Sequence, residues 1–375
     1  MTRSFAPLVA AILAISLVGV GLSLTIPLIS VRMEAAGFSA QANGISTALA
    51  GLATFFVSPA TPQLARMLGA RGLLMAALGL AVLTLVGLAL VADMVWWFPL
   101  RFVFSAALSI LFIVSEYAIS ALAPPARRGL WIGVYSTCLG VGFVLGPTIL
   151  SLVGTQGASP FLVAALVCFV AGLPMVYYAG DIAGLAGKTH ANAFGLIAAA
   201  PVLMLAALVF GAVETGLMGL LPVHALRNGY GVEAGALLVA AIALGNATFQ
   251  IPLGLIADRM EKRRLLALIA FVGLVGSVAL AALTPQPVAF AALLVVWGGI
   301  VSGLYMVALA EIGSRFSGGE LAAANSAFVM LYAGGMLIGP PALGAAVDMS
   351  PRLGLFAGLG AVFALYLALA LARRR

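Results

Sequence analysis

The sequence predicts an all-α polytopic membrane protein, with twelve transmembrane helices in two pseudo-symmetric six-helix bundles. Three observations point there. Of 375 residues, 64% are hydrophobic and 8% charged, against about 45–50% and about 25% in soluble proteins, so a water-soluble globule could not cover its surface. The strings between charges are long continuous apolar runs, unlike the alternating strands of about ten residues in a membrane barrel. Several landmarks of the first half recur at a nearly constant offset in the second. Twelve spans of about 22 residues use roughly 264 positions and leave about 111 for loops and tails. No extramembrane domain fits beside them.

Charges and turn residues place the spans in order. Span 1 covers 7–30, between Arg3 and Arg32, and is far longer than the core of a signal peptide. Span 2 covers 42–64 and span 3 covers 73–92, separated by a loop with Arg66 and Arg71. Span 4, 97–120, starts at Trp96 and Trp97 and ends before Arg127 and Arg128. The uncharged stretch Gly129–Gly180 is divided by Gly154, Thr155, Gln156, Gly157 and Pro160 into span 5, 130–152, and span 6, 160–180. A linker at 181–193 joins domains 1–180 and 194–375. Span 7, 195–221, precedes Arg227, and span 8, 234–256, precedes the basic cluster Arg259 to Arg264. Thr284, Pro285, Gln286 and Pro287 separate span 9, 265–284, from span 10, 288–311. Span 11, 322–346, and span 12, 353–372, flank Arg352.

The net charge of +7 is no sign of a nucleic-acid partner, because the basic residues lie at the ends of apolar runs as loop anchors. With the N-terminus inside, 14 basic residues fall on the inner side and three, Arg32, Arg227 and Arg352, on the outer. That asymmetry predicts cytoplasmic termini, with Trp96 and Trp97 at the outer interface. Cys138 and Cys168 sit within apolar runs, as small hydrophobes. The two histidines, His190 and His224, lie at opposite ends of span 7 and cannot share a ligand. No metal site, nucleophile motif or phosphate loop is present, so the reading includes no cofactor, no ATP hydrolysis and no enzyme chemistry. A membrane-embedded enzyme would need a catalytic pair, and a sensor an output domain; the sequence shows neither.

The halves repeat. Pro27 and Arg32 recur as Pro222 and Arg227, each 195 residues on; Glu116 recurs as Glu311, also 195 on, and Gly146-Pro147 as Gly339-Pro340, 193 on. Several matches at one offset mark a six-plus-six duplication.

At this point the chain resembles the major facilitator superfamily, and most of all its bacterial drug and metabolite efflux proteins of the proton-antiporter type. Residues 254–264, Gly-Leu-Ile-Ala-Asp-Arg-Met-Glu-Lys-Arg-Arg, match the family's signature loop between spans 8 and 9. Residues 142–147, Gly-Phe-Val-Leu-Gly-Pro, match its span 5 antiporter motif, and Arg101 sits where its span 4 arginine does. The resemblance implies the major facilitator fold, an inner-membrane location, a monomer, and alternating access to a small amphipathic organic solute, with proton-coupled efflux ahead of uptake or uncoupled facilitation. One departure stands in the first-half loop, where Pro62 replaces the glycine and Arg66 the aspartate.

Ionisable groups within spans cost about 2.5–3.5 kcal/mol on insertion scales, so each is a functional candidate. Glu214 is the deepest acid, about five residues, or about 7 Å, outward of the predicted midpoint of span 7. Such an acid suits a proton carrier; the alternative is an ion pair with Arg101 or a polar neighbour that holds helices together. Arg101 either snorkels outward to the Trp96 level or, as the resemblance implies, faces the central cavity beside the carboxylate. Glu116 and Glu311, near the inner ends of spans 4 and 10, suit latches to Arg71 or Arg263, or else are solvated interfacial acids. Family geometry faces Asp258, beside Arg259, toward Arg127 or Arg128. It faces Arg66 toward Glu320, so the sign of both partners is reversed together in the first-half gate. Gly142 and Gly146, like Gly335 and Gly339, are four apart and share a helix face for close packing, with Pro147 and Pro340 kinking the outer parts. Asn246, Gln250, Tyr135, Tyr305 and Trp297 are polar or aromatic at mid-span depth and are expected to line the cavity.

Overall fold

The computed structural model describes residues 6–122, 128–178, 200–315 and 318–372. The predicted linker at 181–193, His190 and Arg127 lie outside them. The described helices are Ala6–Ala35 (span 1), Ala40–Leu90 (spans 2 and 3), Trp97–Leu122 (span 4), Arg128–Val153 (span 5) and Ser159–Tyr178 (span 6). Pro201–Arg227 (span 7), Val232–Arg259 (span 8), Lys262–Leu283 (span 9), Pro287–Arg315 (span 10), Gly318–Met349 (span 11) and Gly354–Ala372 (span 12) follow. Among the described residues there is no strand, and eleven segments are long and apolar enough to cross a membrane; span 5 adds a shorter apolar stretch, Thr137–Val153.

Among the boundaries that differ from the sequence reading, three have a clear local cause. The loop expected between spans 2 and 3 is a break within one helical rod, at Gly69 with φ 71°. Its flanks are good helix formers, so only the residue able to take a positive φ interrupts them. Span 7 starts at Pro201 and ends at Arg227, six residues further along the chain than expected at each end. Proline is favoured at a first helical position because the N–H it lacks would have no partner there. At the other end Gly229, at φ 85°, turns the chain so that the Tyr230 N–H reaches the Ala225 carbonyl. Span 8 runs on through Asp258 to Arg259, leaving Met260 and Glu261 between helices.

Contacts divide the chain into one unit of residues 1–29 and 52–187 and another of 30–51 and 188–375. In the first, span 5 lies on span 1: a Cβ on Gly142 would stand 2.5 Å from the Ser16 carbonyl oxygen and 3.2 Å from Gly19 Cα. Ser23 Oγ donates to the Gly142 carbonyl at 3.2 Å. Gly172 of span 6 packs on Leu78 of span 3. Trp97, expected at the interface, is 3% exposed; its indole N–H donates to the Val91 carbonyl and its ring meets Phe161 edge-on. Of the two, Trp96 stays exposed, while burying the Trp97 indole is favourable because its N–H finds an acceptor.

In the second unit the same pairing recurs between spans 11 and 7. A Cβ on Gly335 would collide with the Leu208 carbonyl oxygen, and one on Gly339 with Ala212 Cα. Spans 8 and 10, and spans 9 and 12, make the other large contacts, around Phe290, Trp297, Phe328, Phe356 and Phe363. The first turns of span 2 belong to this unit: Gly44 lies against the Pro340 carbonyl, and Gly344 against the Ala40 carbonyl.

Candidate functional site

Glu214 is the middle residue of the 27-residue helix Pro201–Arg227. The later start and end of that helix therefore bring the acid to the middle of the span rather than into its second half. The side chain is half-buried, and it accepts a hydrogen bond of 2.5 Å from the Tyr332 hydroxyl of span 11. Among the described residues, it has no basic partner.

Aromatic rings gather beside it. Phe210 lies one turn before Glu214, so both occupy one face of span 7. Its ring is 6.2 Å from that of Tyr332 and 5.7 Å from that of Tyr305, and the two tyrosine rings are 5.5 Å apart, edge to face. Phe328 closes the back of Tyr305 at 4.9 Å. Spans 7, 10 and 11 of one unit thus present a carboxylate over three rings, with Glu214, Tyr305 and Tyr332 all partly exposed.

Of the other candidates, Arg101 is 2% exposed, which is incompatible with an outward snorkel. Trp297 does not line a cavity: it is 1% exposed, its indole N–H donates to the Gly273 carbonyl at 3.0 Å, and its ring packs on Phe363. The N–H had to find a buried acceptor, and Gly276, where a Cβ would run into the indole, gives the ring room to reach the Gly273 carbonyl. Tyr135 is buried too, its hydroxyl 3.1 Å from Ser115 Oγ. Gln250 donates to Asn246 at 3.0 Å along span 8, and both are partly exposed.

Of the residues expected at the inner gate, Arg66 and Arg259 are exposed. Glu311 accepts from Arg315 at 3.0 Å, and Arg263 donates to the Ala370 carbonyl. The side chains of Glu116, Arg128, Asp258 and Glu320 lie outside the described ones. Pro147 and Pro340 stand within the helices of spans 5 and 11.

One cluster escaped the sequence reading. At the C-terminal end of span 7, Arg227 forks onto Glu34, Nε to Oε1 at 2.6 Å and Nη2 to Oε2 at 3.1 Å. Its Nη1 reaches Asp348 Oδ1 at 2.9 Å. Asp348 also accepts from the Ala40 and Gln41 amides at 2.9 and 2.8 Å, capping span 2. Only the repeat of Arg32 as Arg227 hinted at this; two acids with distant sequence positions give no spacing to read.

The cluster clasps the start of span 2 to spans 7 and 11. A partly buried, bidentate pair contributes about 1 kcal/mol. In a background lacking Cys138 and Cys168, we expect Thr47→Cys, at a fully buried position, to react slowly with a membrane-impermeant maleimide. Adding Arg227→Ala raises that rate about 5-fold; an unchanged rate shows that the ions do not hold the clasp.

The family model described as "Major Facilitator Superfamily" matches residues 11–340 and 203–375. The chain is 26% identical over 317 residues to the "Uncharacterized MFS-type transporter YfkF" of Bacillus subtilis, covering 82% of this chain and 77% of that protein. It is 26% identical over 264 residues to a Yersinia enterocolitica MFS-type transporter, covering 68% of this chain and 66% of the relative. In fold it is similar to a crystal structure of the nucleoside transporter NupG (D323A mutant), with TM-score 0.77, 15% identity and 99% of this chain and all of that one covered. A D-xylose-proton symporter gives TM-score 0.75 at 15% identity, covering 98% and 97%. These names give no support to the narrower likeness to drug antiporters. The matched residues, the repeated helix contacts and the absence of strands among the described residues agree: the chain belongs to the Major Facilitator Superfamily of membrane transporters.

Proposed function

We propose that this transporter moves a small, amphipathic organic solute across the bacterial inner membrane by alternating access, with proton-coupled efflux as its working direction. Its two bundles, residues 1–180 and 194–375, rock about a central cavity, and both termini lie in the cytoplasm. The observation that carries the reading is Glu214: an acid at the middle of a span, partly exposed and bonded only to a tyrosine hydroxyl among the described residues. Ionisable groups at that depth face a bundle interior or a water-filled path. An acid there crosses between aqueous sides most readily when neutral, which suits a group that loads and releases a proton.

Inner-gate contacts of Asp258 with Arg127 or Arg128, and of Arg66 with Glu320, complete the reading. The second reading, proton-coupled uptake, is favoured by the D-xylose-proton symporter among the similar structures. Proteoliposomes preset acid or alkaline inside and screened against a solute panel test both. Efflux by exchange requires solute to accumulate in acid-loaded vesicles; accumulation only in vesicles with an acidic outside establishes uptake, and flux indifferent to the gradient removes proton coupling.

Arg101 supplies a separate test. A buried guanidinium with five directed N–H donors is not replaced by an ammonium. Arg101→Lys and Arg101→Ala are both expected to lower flux at least 10-fold, whereas an interfacial anchor would tolerate lysine.

A further inference from the structure

We infer that Asn43, buried without a hydrogen-bond partner where the start of span 2 packs on spans 7 and 11, is the residue that loosens this closed contact and so sets how readily span 2 parts from it. The inference rests on the proposal of alternating access, and it names what tilts the balance at this end of span 2.

Span 2 is held closely here. Gly44 lies against the Pro340 carbonyl and Gly344 against the Ala40 carbonyl, so the backbones of spans 2 and 11 touch directly. Toward span 7, a Cβ on Gly219 would stand 2.6 Å from Thr47 Oγ1. Asn43 lies one turn before Thr47 and shares its face, and it is fully buried.

Hydroxyls within the spans escape the cost of burial locally. Ser16, Thr25 and Thr84 each donate to a carbonyl of the preceding turn, those of Ile12, Gly21 and Leu80. Asn43 does not. Neither its Nδ2 nor its Oδ1 has a partner, although the amide carries two donors and an oxygen that can accept twice. In the same unit, Ser30 Oγ near the end of span 1 is buried and unpaired as well.

An unpaired buried amide disfavours the state that buries it by a factor of about 5 to 150. Once span 2 parts from spans 7 and 11, water meets both ends of the amide and the penalty is gone. The fork of Arg227 onto Glu34 and its contact with Asp348 act the other way, because opening leaves those charges apart and screened. That clasp favours closure by about 5-fold. The two effects are comparable in size, so the contact can hold and still release.

The test uses full-length, detergent-purified protein lacking Cys138 and Cys168, with spin labels at Ile45→Cys and Val288→Cys. Both positions are exposed, at 46% and 84%, and Ile45 is about 200° around the helix from Asn43. Pulsed electron resonance reads the ratio of long to short label distances, with Arg227 intact and in Arg227→Ala. Asn43→Thr has nearly the volume of asparagine and can return its hydroxyl to the Ser39 carbonyl; it is expected to lower the ratio at least about 3-fold. Asn43→Leu, an isostere in shape without polar atoms, is expected to lower it as well, and Asn43→Thr decides should the leucine overpack. A fall of less than about 3-fold in Asn43→Thr, or a rise, overturns the inference, because it means that the amide is satisfied by a trapped water or ion while span 2 is packed. Two distances whose ratio ignores Asn43 leave alternating access standing. A single distance in every variant removes alternating access at this contact together with the inference.

Discussion

Glu214→Gln is expected to abolish flux driven by a pH gradient, lowering it at least 100-fold, while the protein still folds and inserts. The amide has the shape of the carboxyl and its oxygen still accepts from Tyr332, which now donates at 2.5 Å. Packing of spans 7 and 11 is therefore conserved, and what disappears is the ability to gain or lose a proton. The alternative, an acid kept only to join two helices, predicts the opposite ordering: glutamine preserves the hydrogen bond and flux with it, and Tyr332→Phe is the damaging change. Proton movement reported by an entrapped pH-sensitive dye, with the solute found in the vesicle screen, separates the two. Full coupled flux in Glu214→Gln rejects Glu214 as the proton carrier.

Gly335→Val has the largest structural effect expected, a loss of about 3 kcal/mol or more. A side chain at Gly335 would run into the Leu208 carbonyl oxygen and stand 2.8 Å from the Ala212 amide nitrogen. Both are backbone atoms of span 7, so no rotamer change relieves the conflict, and spans 7 and 11 must separate. In lipid, such contact between backbones is itself a main source of helix association. Gly334 provides the control within one residue: a Cβ there meets nothing within 4 Å, so Gly334→Ala stays within about 0.5 kcal/mol or gains slightly from helix propensity. Loss of monodisperse protein on heating, followed by size-exclusion chromatography in detergent, reads both. Equal melting of the two variants shows that the close approach is not what holds these helices.

Much of the architecture was legible in the residues. Long apolar runs, their punctuation by Gly, Pro and charge, and the offsets of Pro27, Arg32, Glu116 and Gly146 correspond to the described helices. The paired glycines are placed where span 5 meets span 1 and span 11 meets span 7, since a missing side chain matters wherever backbones touch. Glu214 was singled out by cost alone, because a charge within an apolar run needs a reason.

Span composition and duplication are thus properties of the sequence by itself, because crossing a bilayer imposes length and hydrophobicity on each segment separately. Which way each side chain faces was decided only by the tertiary structure. Trp297 and Tyr305 are aromatic residues eight apart on span 10, and helical geometry turns them about 80° from one another. The first fills the core against spans 9 and 12, and the second joins the rings beside Glu214. In a soluble helix a polar stripe would distinguish such faces, but lipid is as apolar as a helix interface, so no amphipathic pattern records the difference. The meeting of Glu34, Arg227 and Asp348 and the coming together of Glu214 and Tyr332, 118 residues apart, likewise required the helices to pack before chemistry could be read from them.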